Sequence, residues 1–162
     1  MRETKLEVPF DPMGAARRLS RLPGLAFLHS GLRAYGLGRF SILATDPVRT
    51  VSSEGFEAIE NELAGFPDCR GGRLPFYGGA IGYLSYDAGR SLEASRLQPS
   101  SGALPGSRFA FYEGALVFDH ETEETWLTEL APPGSGPGDA LRAAVFGRDA
   151  AGGEAFTLTS SL

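Results

Sequence analysis

The sequence predicts an α+β fold built mostly on antiparallel sheet, with a few flanking helices. Short apolar runs bounded by Gly, Pro and Asp outnumber the segments with helical spacing, and the two kinds rarely alternate one for one. The chain has 162 residues, of which 42% are apolar and 22% charged, as is ordinary for a single globular domain. Its 22 Gly and 11 Pro imply many turns. We therefore expect one domain of mainly antiparallel strands.

The N-terminal segment predicts an edge strand followed by a short helix. Apolar residues alternate over 6–10, which indicates a strand, and Pro9 places that strand at the edge of a sheet. Asp11 then offers a helix N-cap, and Pro12 suits the first helical position. Apolar residues at three-residue steps predict an amphipathic helix over 13–22, ended by a Pro-Gly pair.

The next segments predict three strands and a second helix. The apolar runs 25–30 and 40–45 are predicted to be neighbouring strands joined by a glycine-rich segment. Asp46-Pro47 predicts a turn into a third strand over 48–53. Large apolar residues spaced by three and four then predict a helix over 56–64.

The second half of the chain is richer in glycine. The apolar and aromatic segment 75–87 contains Gly78, Gly79 and Gly82, which do not follow the order of a dinucleotide-binding motif. We interpret these glycines as positions where a strand bends or where another backbone packs closely. The following segment, 91–106, has weak periodicity and is predicted to be mostly loop.

The remaining elements are a hairpin, a helix and a final strand. The hairpin is predicted to pair 109–119 with 125–130 around an acidic tip at 120–123. A Pro/Gly-rich linker precedes a helix predicted over 139–146, and 156–162 is predicted to be a short strand.

Charge and cysteine content exclude several classes of function. The formal net charge is −5 and the isoelectric point about 5.1, which argues against binding to a nucleic-acid backbone. No run of 18 apolar residues is present and the N-terminus lacks a signal-peptide pattern, so we expect no membrane contact. Cys69 is the only cysteine, which fits a reducing cytoplasm.

The sequence predicts no catalytic residues and no metal ligands. Only His29 and His120 could act as imidazole bases, and no Gly-x-Ser-x-Gly motif accompanies them. One cysteine and two distant histidines cannot supply a tetrahedral zinc site. We interpret His120, at the hairpin tip, as part of a solvated turn.

One pair of strand ends could bind a small molecule. His29 and Ser30 end one apolar strand, and Arg39 and Phe40 begin the next. A zwitterionic aromatic ligand needs a polar group for its ammonium, a cation for its carboxylate and apolar walls for its ring. The residues alone are equally consistent with an ordinary strand pair that carries a surface arginine.

Four segments together resemble the chorismate-utilising component I enzymes. Residues 21–31 (RLPGLAFLHSG) and 38–47 (GRFSILATDP) are similar to the start of that family. Residues 74–87 (LPFYGGAIGYLSYD) resemble its Pro-Phe-x-Gly-Gly-x-x-Gly-x-x-x-Tyr-Asp motif, and 156–160 (FTLTS) resemble the joint before its catalytic half. The family comprises anthranilate synthase component I and aminodeoxychorismate (para-aminobenzoate) synthase component I. The resemblance implies two orthogonally packed antiparallel sheets.

Details of these segments favour the aminodeoxychorismate branch. The tryptophan motif of anthranilate synthase usually reads Leu-Leu-Glu-Ser, and here His29 occupies the Glu position. The sequence Asp87-Ala-Gly-Arg90 and the ending at 156–160 also favour that branch. The resemblance then implies a parent enzyme that aminates chorismate to 4-amino-4-deoxychorismate for folate synthesis. It implies ammonia from a glutamine amidotransferase component II, and Mg²⁺ in the active site.

The resemblance also predicts that the catalytic residues and the residues of this chain belong to different parts of the parent enzyme. In this family the chorismate- and Mg²⁺-binding residues lie in a larger C-terminal half, with which the N-terminal domain packs. We therefore expect 1–155 to be a component I N-terminal domain and 156–162 to begin the joint to that half. The chain itself is expected to be non-catalytic, with no cofactor of its own.

The N-terminal domain of this family holds a tryptophan pocket. Carried over by position, the tryptophan-binding residues would be Leu28, His29, Ser30, Arg39 and Phe40. Two alternatives stay open: the same domain of anthranilate synthase component I, or a free-standing amino-acid-binding module.

Overall fold

The computed structural model describes residues 1–7, 11–32, 37–53, 57–69, 71–85, 105–130 and 138–146. Within these residues the chain forms two antiparallel sheets and three helices, which confirms the predicted α+β class. The strands are β1 (Arg2–Leu6), β2 (Ala26–Leu28), β3 (Phe40–Ala44), β4 (Arg49–Ser53), β5 (Gly79–Leu84), β6 (Ser107–Tyr112), β7 (Gly114–Asp119) and β8 (Glu124–Glu129). The helices are α1 (Pro12–Leu19), α2 (Glu57–Leu63) and α3 (Gly138–Phe146).

The larger sheet has the strand order β1-β8-β7-β3-β2. The predicted pairing of the neighbouring strands β2 and β3 is confirmed, with Phe27 opposite Leu43. The predicted hairpin is confirmed in β7 and β8, where Leu116 lies opposite Leu127. Strand β3 pairs with β7 and so joins these two units.

The first strand is at the predicted edge but begins earlier than predicted. Among the described strands β1 pairs with β8 alone, and it covers Arg2–Leu6 rather than 6–10. Two of its charged side chains form ion pairs across the strand pair, Arg2 with Glu129 and Lys5 with Glu124. A pattern of alternating apolar residues does not reveal such ion pairs, so it did not predict where this strand begins. Residues 8–10 lie outside the described part.

The smaller sheet has the order β4-β6-β5 and corrects one prediction. The segment 109–119 was predicted to be one strand, but it divides at Glu113 into β6 and β7, which belong to different sheets. Both halves are apolar because both strands are largely buried, so the pattern continues through the break. At the break, the carbonyl of Glu113 accepts a 2.7 Å hydrogen bond from the N–H of Leu130.

Each face of the larger sheet packs against a different layer. On one face Leu43, Leu116 and Leu127 form a buried core with residues of α1 and α3. On the other face Ala44 and Ala115 pack with apolar residues of the smaller sheet, among them Tyr112, Ile81 and Ala110. The chain is thus layered as helices, sheet and second sheet.

The helices match their sequence signals closely. The side chain of Asp11 caps α1 by accepting hydrogen bonds from the N–H groups of Met13 and Gly14, at 3.0 and 2.9 Å. Helix α1 ends at Leu19 rather than at the predicted residue 22, because the N–H of Leu22 bonds to the carbonyl of Leu19 in a turn instead of continuing the helix. Helices α2 and α3 begin within one residue of their predicted starts.

Gly82 supports the structural interpretation of the glycine cluster. A Cβ at this position of β5 would overlap the carbonyl oxygen of Arg108 and lie 2.6 Å from the Cα of Phe109. The backbones of β5 and β6 therefore approach too closely here for any side chain.

Several predictions fall on residues that the structure does not describe. These are most of the loop at 91–106, the final strand at 156–162 and the domain boundary at 155. In the described part, no helix has the length and apolar character needed to cross a bilayer.

Candidate ligand-binding site

Strand alternation divides the five predicted tryptophan-binding residues between two faces of the larger sheet. Leu28 lies opposite Ile42, which packs toward the smaller sheet, and Phe40 packs with a cluster on that same side. Leu28 is 51% exposed, so this apolar surface is partly open. Ser30 follows β2 two positions after Leu28, so strand alternation assigns it to the same face of the sheet as Leu28. His29, between them, is assigned to the opposite face.

Ser41 connects these residues, although it was not among those predicted. Its hydroxyl oxygen accepts a hydrogen bond from the N–H of Ser30 at 3.1 Å. It also lies 3.0 Å from Nδ1 of His29 and 2.7 Å from Nε2 of His120. The hydroxyl of Ser30 in turn donates to the carbonyl of Phe40 at 2.6 Å. Because Ser41 is fully buried, this polar cluster fixes the end of β2 against β3.

His120 lies in the turn after β7, as predicted, but its ring also belongs to this cluster, which the prediction of a solvated turn did not include. Its ring is half-buried and meets the ring of Phe118 edge-on, with 4.8 Å between centroids. The centroid of the His29 ring lies 6.0 Å away. The two histidines are 91 positions apart in sequence, and only the pairing of β3 with β7 brings them together. Only a prediction that β3 pairs with β7 would have indicated that the two histidines meet, and the sequence did not predict that pairing.

Arg39, the predicted cation for a ligand carboxylate, is engaged by two carboxylates of the chain. Its Nη2 lies 2.7 Å from Oδ2 of Asp119, and its Nε lies 3.1 Å from both Asp119 oxygens. Nε is also 3.1 Å from a carboxylate oxygen of Glu121. The guanidinium lies 4.8 Å from the centroid of the Phe40 ring. The charge of Arg39 is therefore already compensated.

Asp119 is the buried partner of this ion pair. Burial by itself would raise the pKa of Asp119. Hydrogen bonds from Arg39 and from the backbone N–H groups of Glu121 and Thr122 outweigh burial, so the pKa lies below its ordinary value. The carboxylate stays ionised at neutral pH and ties the β7–β8 turn to Arg39.

Acidification should weaken the fold through Asp119. A carboxyl whose pKa is lowered by folding contributes stability above its unfolded pKa, about 3.9, and loses it as the pH falls through the folded value. We expect the free energy of unfolding in urea to fall more steeply below about pH 4 in the natural chain than in Asp119→Asn. Equal acid slopes in the two proteins would show that Asp119 contributes nothing to this pH dependence.

The described residues provide no ligand set for a metal. No three or more His, Cys, Asp or Glu side chains among them converge in a way that could hold an ion.

The sequence is similar to two groups of curated proteins. It is 30% identical to aminodeoxychorismate synthase component 1 of Escherichia coli over 125 residues, which cover 64% of this chain and 28% of that protein. It is 31% identical to anthranilate synthase component 1 of Lactococcus lactis over 150 residues, which cover 80% of this chain and 32% of that protein. The chain thus spans about a third of the length of these relatives. No protein-family model matches it.

The fold is also that of a solved relative. The crystal structure of anthranilate synthase component I from Streptococcus pneumoniae superposes with a TM-score of 0.51 at 24% identity. The match covers 87% of this chain and 35% of that one. Sequence and fold therefore agree that, over most of its length, this chain is a relative of the component 1 proteins of aminodeoxychorismate synthase and anthranilate synthase.

Proposed function

We propose that this chain is the non-catalytic, ligand-binding and scaffolding portion of an aminodeoxychorismate synthase component I. The whole enzyme would aminate chorismate to 4-amino-4-deoxychorismate for folate synthesis, with ammonia from a glutamine amidotransferase component II. The observation that carries the proposal is the Ser41 cluster, which holds Ser30 beside the half-open apolar surface of Leu28 and Phe40. The free thiol of Cys69 suits a reducing cytoplasm.

The ligand we propose is L-tryptophan. Its indole would lie against Leu28 and Phe40, and its polar end would reach Ser30. Asp119 and Glu121 carry two negative charges against the single positive charge of Arg39. The excess negative charge would attract the ligand ammonium, as the glutamate of the Leu-Leu-Glu-Ser motif would if it reached the ligand.

His29 takes a different role in this proposal from the one carried over by position. Its ring lies beside Phe27, with centroids 5.0 Å apart, and bonds to Ser41. It therefore supports the ligand surface from the opposite face of the sheet. Arg39 likewise acts through its carboxylate partners, so Leu28, Ser30 and Phe40 are the residues we expect to touch the ligand.

Calorimetry of L-tryptophan against the chain tests the proposal. We expect measurable binding that Ser30→Ala weakens about fivefold, because one hydrogen bond contributes roughly 1 kcal/mol. Ser52→Ala, an exposed serine on β4, is the matched control and should bind as the natural chain does. Absence of any binding heat, or equal affinity in Ser30→Ala, would contradict the proposed ligand site.

The scaffolding role rests on the other sheet. The end of β5 leaves Tyr83 and Leu84 exposed by 37% and 50%, and among the described strands β5 pairs with β6 alone. Exposed apolar residues at an open strand edge are typical of a surface that packs against further polypeptide. We propose that the chorismate-binding half of component I docks here.

A second candidate is the same role in anthranilate synthase. The chain is 35% identical to anthranilate synthase component 1 of Streptomyces coelicolor over 102 residues, which cover 60% of this chain and 20% of that protein. Complementation with the complete component I gene separates the two. Rescue of a 4-aminobenzoate auxotroph supports the first proposal, whereas rescue of a tryptophan auxotroph alone supports the second.

A further inference from the structure

The hydroxyl of Ser41 has more polar neighbours than it has independent bonding capacity. A serine hydroxyl offers one hydrogen and two acceptor lone pairs. The N–H of Ser30 can only donate, so it occupies one lone pair. One hydrogen and one lone pair remain for the two imidazole nitrogens, Nδ1 of His29 and Nε2 of His120.

This count restricts the charge of the two histidines. An imidazolium carries hydrogen on both ring nitrogens and can only donate. Only one ring can donate to the remaining lone pair of Ser41, so the other must accept its hydroxyl hydrogen and therefore be neutral. With all three hydrogen bonds intact, His29 and His120 cannot both be protonated.

We propose that His29 and His120 are coupled through Ser41 so that the intact cluster holds at most one imidazolium, and that His120 thereby positions Ser30. His120 touches no ligand in this scheme. It fixes the orientation of the Ser41 hydroxyl, which in turn holds the N–H of Ser30. The positioning role rests on the proposed tryptophan site, whereas the proton coupling does not.

The charged surroundings favour the first proton and not the second. Arg39, immediately before β3, is paired with Asp119 at the end of β7 and with Glu121 of the following turn, which leaves one negative charge in excess near the cluster. The rings of Phe27 and Phe118 pack against the two imidazoles, and the one remaining lone pair of Ser41 can accept a hydrogen bond from only one of them. A second proton must therefore break one bond to Ser41, and the end of β2 is then held less firmly.

Histidine titration by NMR tests the coupling in the complete chain without any ligand. We expect each ring to report the protonation of the other, so that both rings show the same proton-uptake steps, as coupled groups do. In His29→Gln and in His120→Gln the remaining ring should titrate in a single step. Two independent single-step curves in the natural chain would overturn the proposal, and these variants do not require Ser41 itself to be changed.

The positioning role is tested by the affinity for L-tryptophan at pH 8 and pH 5, between which neither charged group of that ligand titrates. We expect at least threefold weaker binding at pH 5 in the natural chain. In His120→Gln, whose amide can still bond to Ser41, we expect no difference between the two pH values, and in His120→Phe weaker binding at both. Equal affinity at both pH values in the natural chain would overturn the positioning role. Absence of binding with coupled titration would refute the tryptophan site and leave the coupling established.

Discussion

Gly82→Ala is expected to lower the free energy of unfolding by about 3 kcal/mol, at the upper end of overpacking effects. The added Cβ would overlap the carbonyl oxygen of Arg108 and approach the Cα of Phe109 to 2.6 Å. Both are backbone atoms of β6, so no side-chain rotation can relieve the overlap. The two strands must move apart, and the ladder from Gly79 to Leu84 is weakened along its length.

Urea unfolding followed by circular dichroism measures this effect. Gly65→Ala is the matched control, because its Cβ would come no closer than 3.4 Å to the carbonyl oxygen of Glu62, and we expect a change within about 0.5 kcal/mol. Hydrogen exchange should show the loss of protection in Gly82→Ala concentrated in β5 and β6. Unchanged stability in that variant would mean that the two strands are not as close as described.

The same substitution should affect ligand binding. Ile81 and Ala110 of the smaller sheet pack against the face of the larger sheet that bears Leu28. If β5 moves outward, the apolar surface proposed for the indole loses part of its support. We expect weaker tryptophan binding in Gly82→Ala and unchanged binding in Gly65→Ala.

Leu116→Ala is expected to lower the free energy of unfolding by about 3 to 4 kcal/mol, as deletions from a close-packed core do. Leu116 is fully buried in β7, directly opposite both Leu43 and Leu127. Helices α1 and α3 cover this position. Because the sheet on one side and the helices on the other hold the surroundings in place, the cavity can collapse only partly.

Thermal and urea denaturation of this variant should be compared with Leu32→Ala. Leu32 is 78% exposed, so its truncation should change stability by no more than about 0.5 kcal/mol. A loss below about 1 kcal/mol in Leu116→Ala would show that the larger sheet does not depend on this core. Similar losses in both variants would contradict the burial of Leu116.

Local sequence signals were sufficient to predict an element where its stabilising contacts lie within one segment of the chain. Asp11 caps α1 because its carboxylate reaches N–H groups two and three residues away. The hairpin β7–β8 and the pair β2–β3 join strands that follow one another in the chain, so apolar runs bounded by turns were enough to predict them. The resemblance of the motif around Gly82 likewise led to the observed fold.

Those signals failed where the outcome depended on distant partners. The break at Glu113 was missed because β6 and β7 are both buried, and burial gives the same apolar pattern in either sheet. The role of His120 was missed because Ser41 and His29 reach it only across the sheet. The pairing of Arg39 with Asp119 was missed because it spans 80 positions.

The sequence by itself determined the class of fold, most of the helices and hairpins, and the relationship to component 1 proteins. Tertiary structure alone decided which strands belong to which sheet and which polar groups share the Ser41 hydroxyl. The physical reason is the sequence separation of the interacting residues. Helix caps, turns and hydrophobic periodicity depend on residues a few positions apart, so a short segment of sequence reveals them. Strand pairing and buried hydrogen bonds join residues far apart, and their partners are chosen only when the sheets assemble.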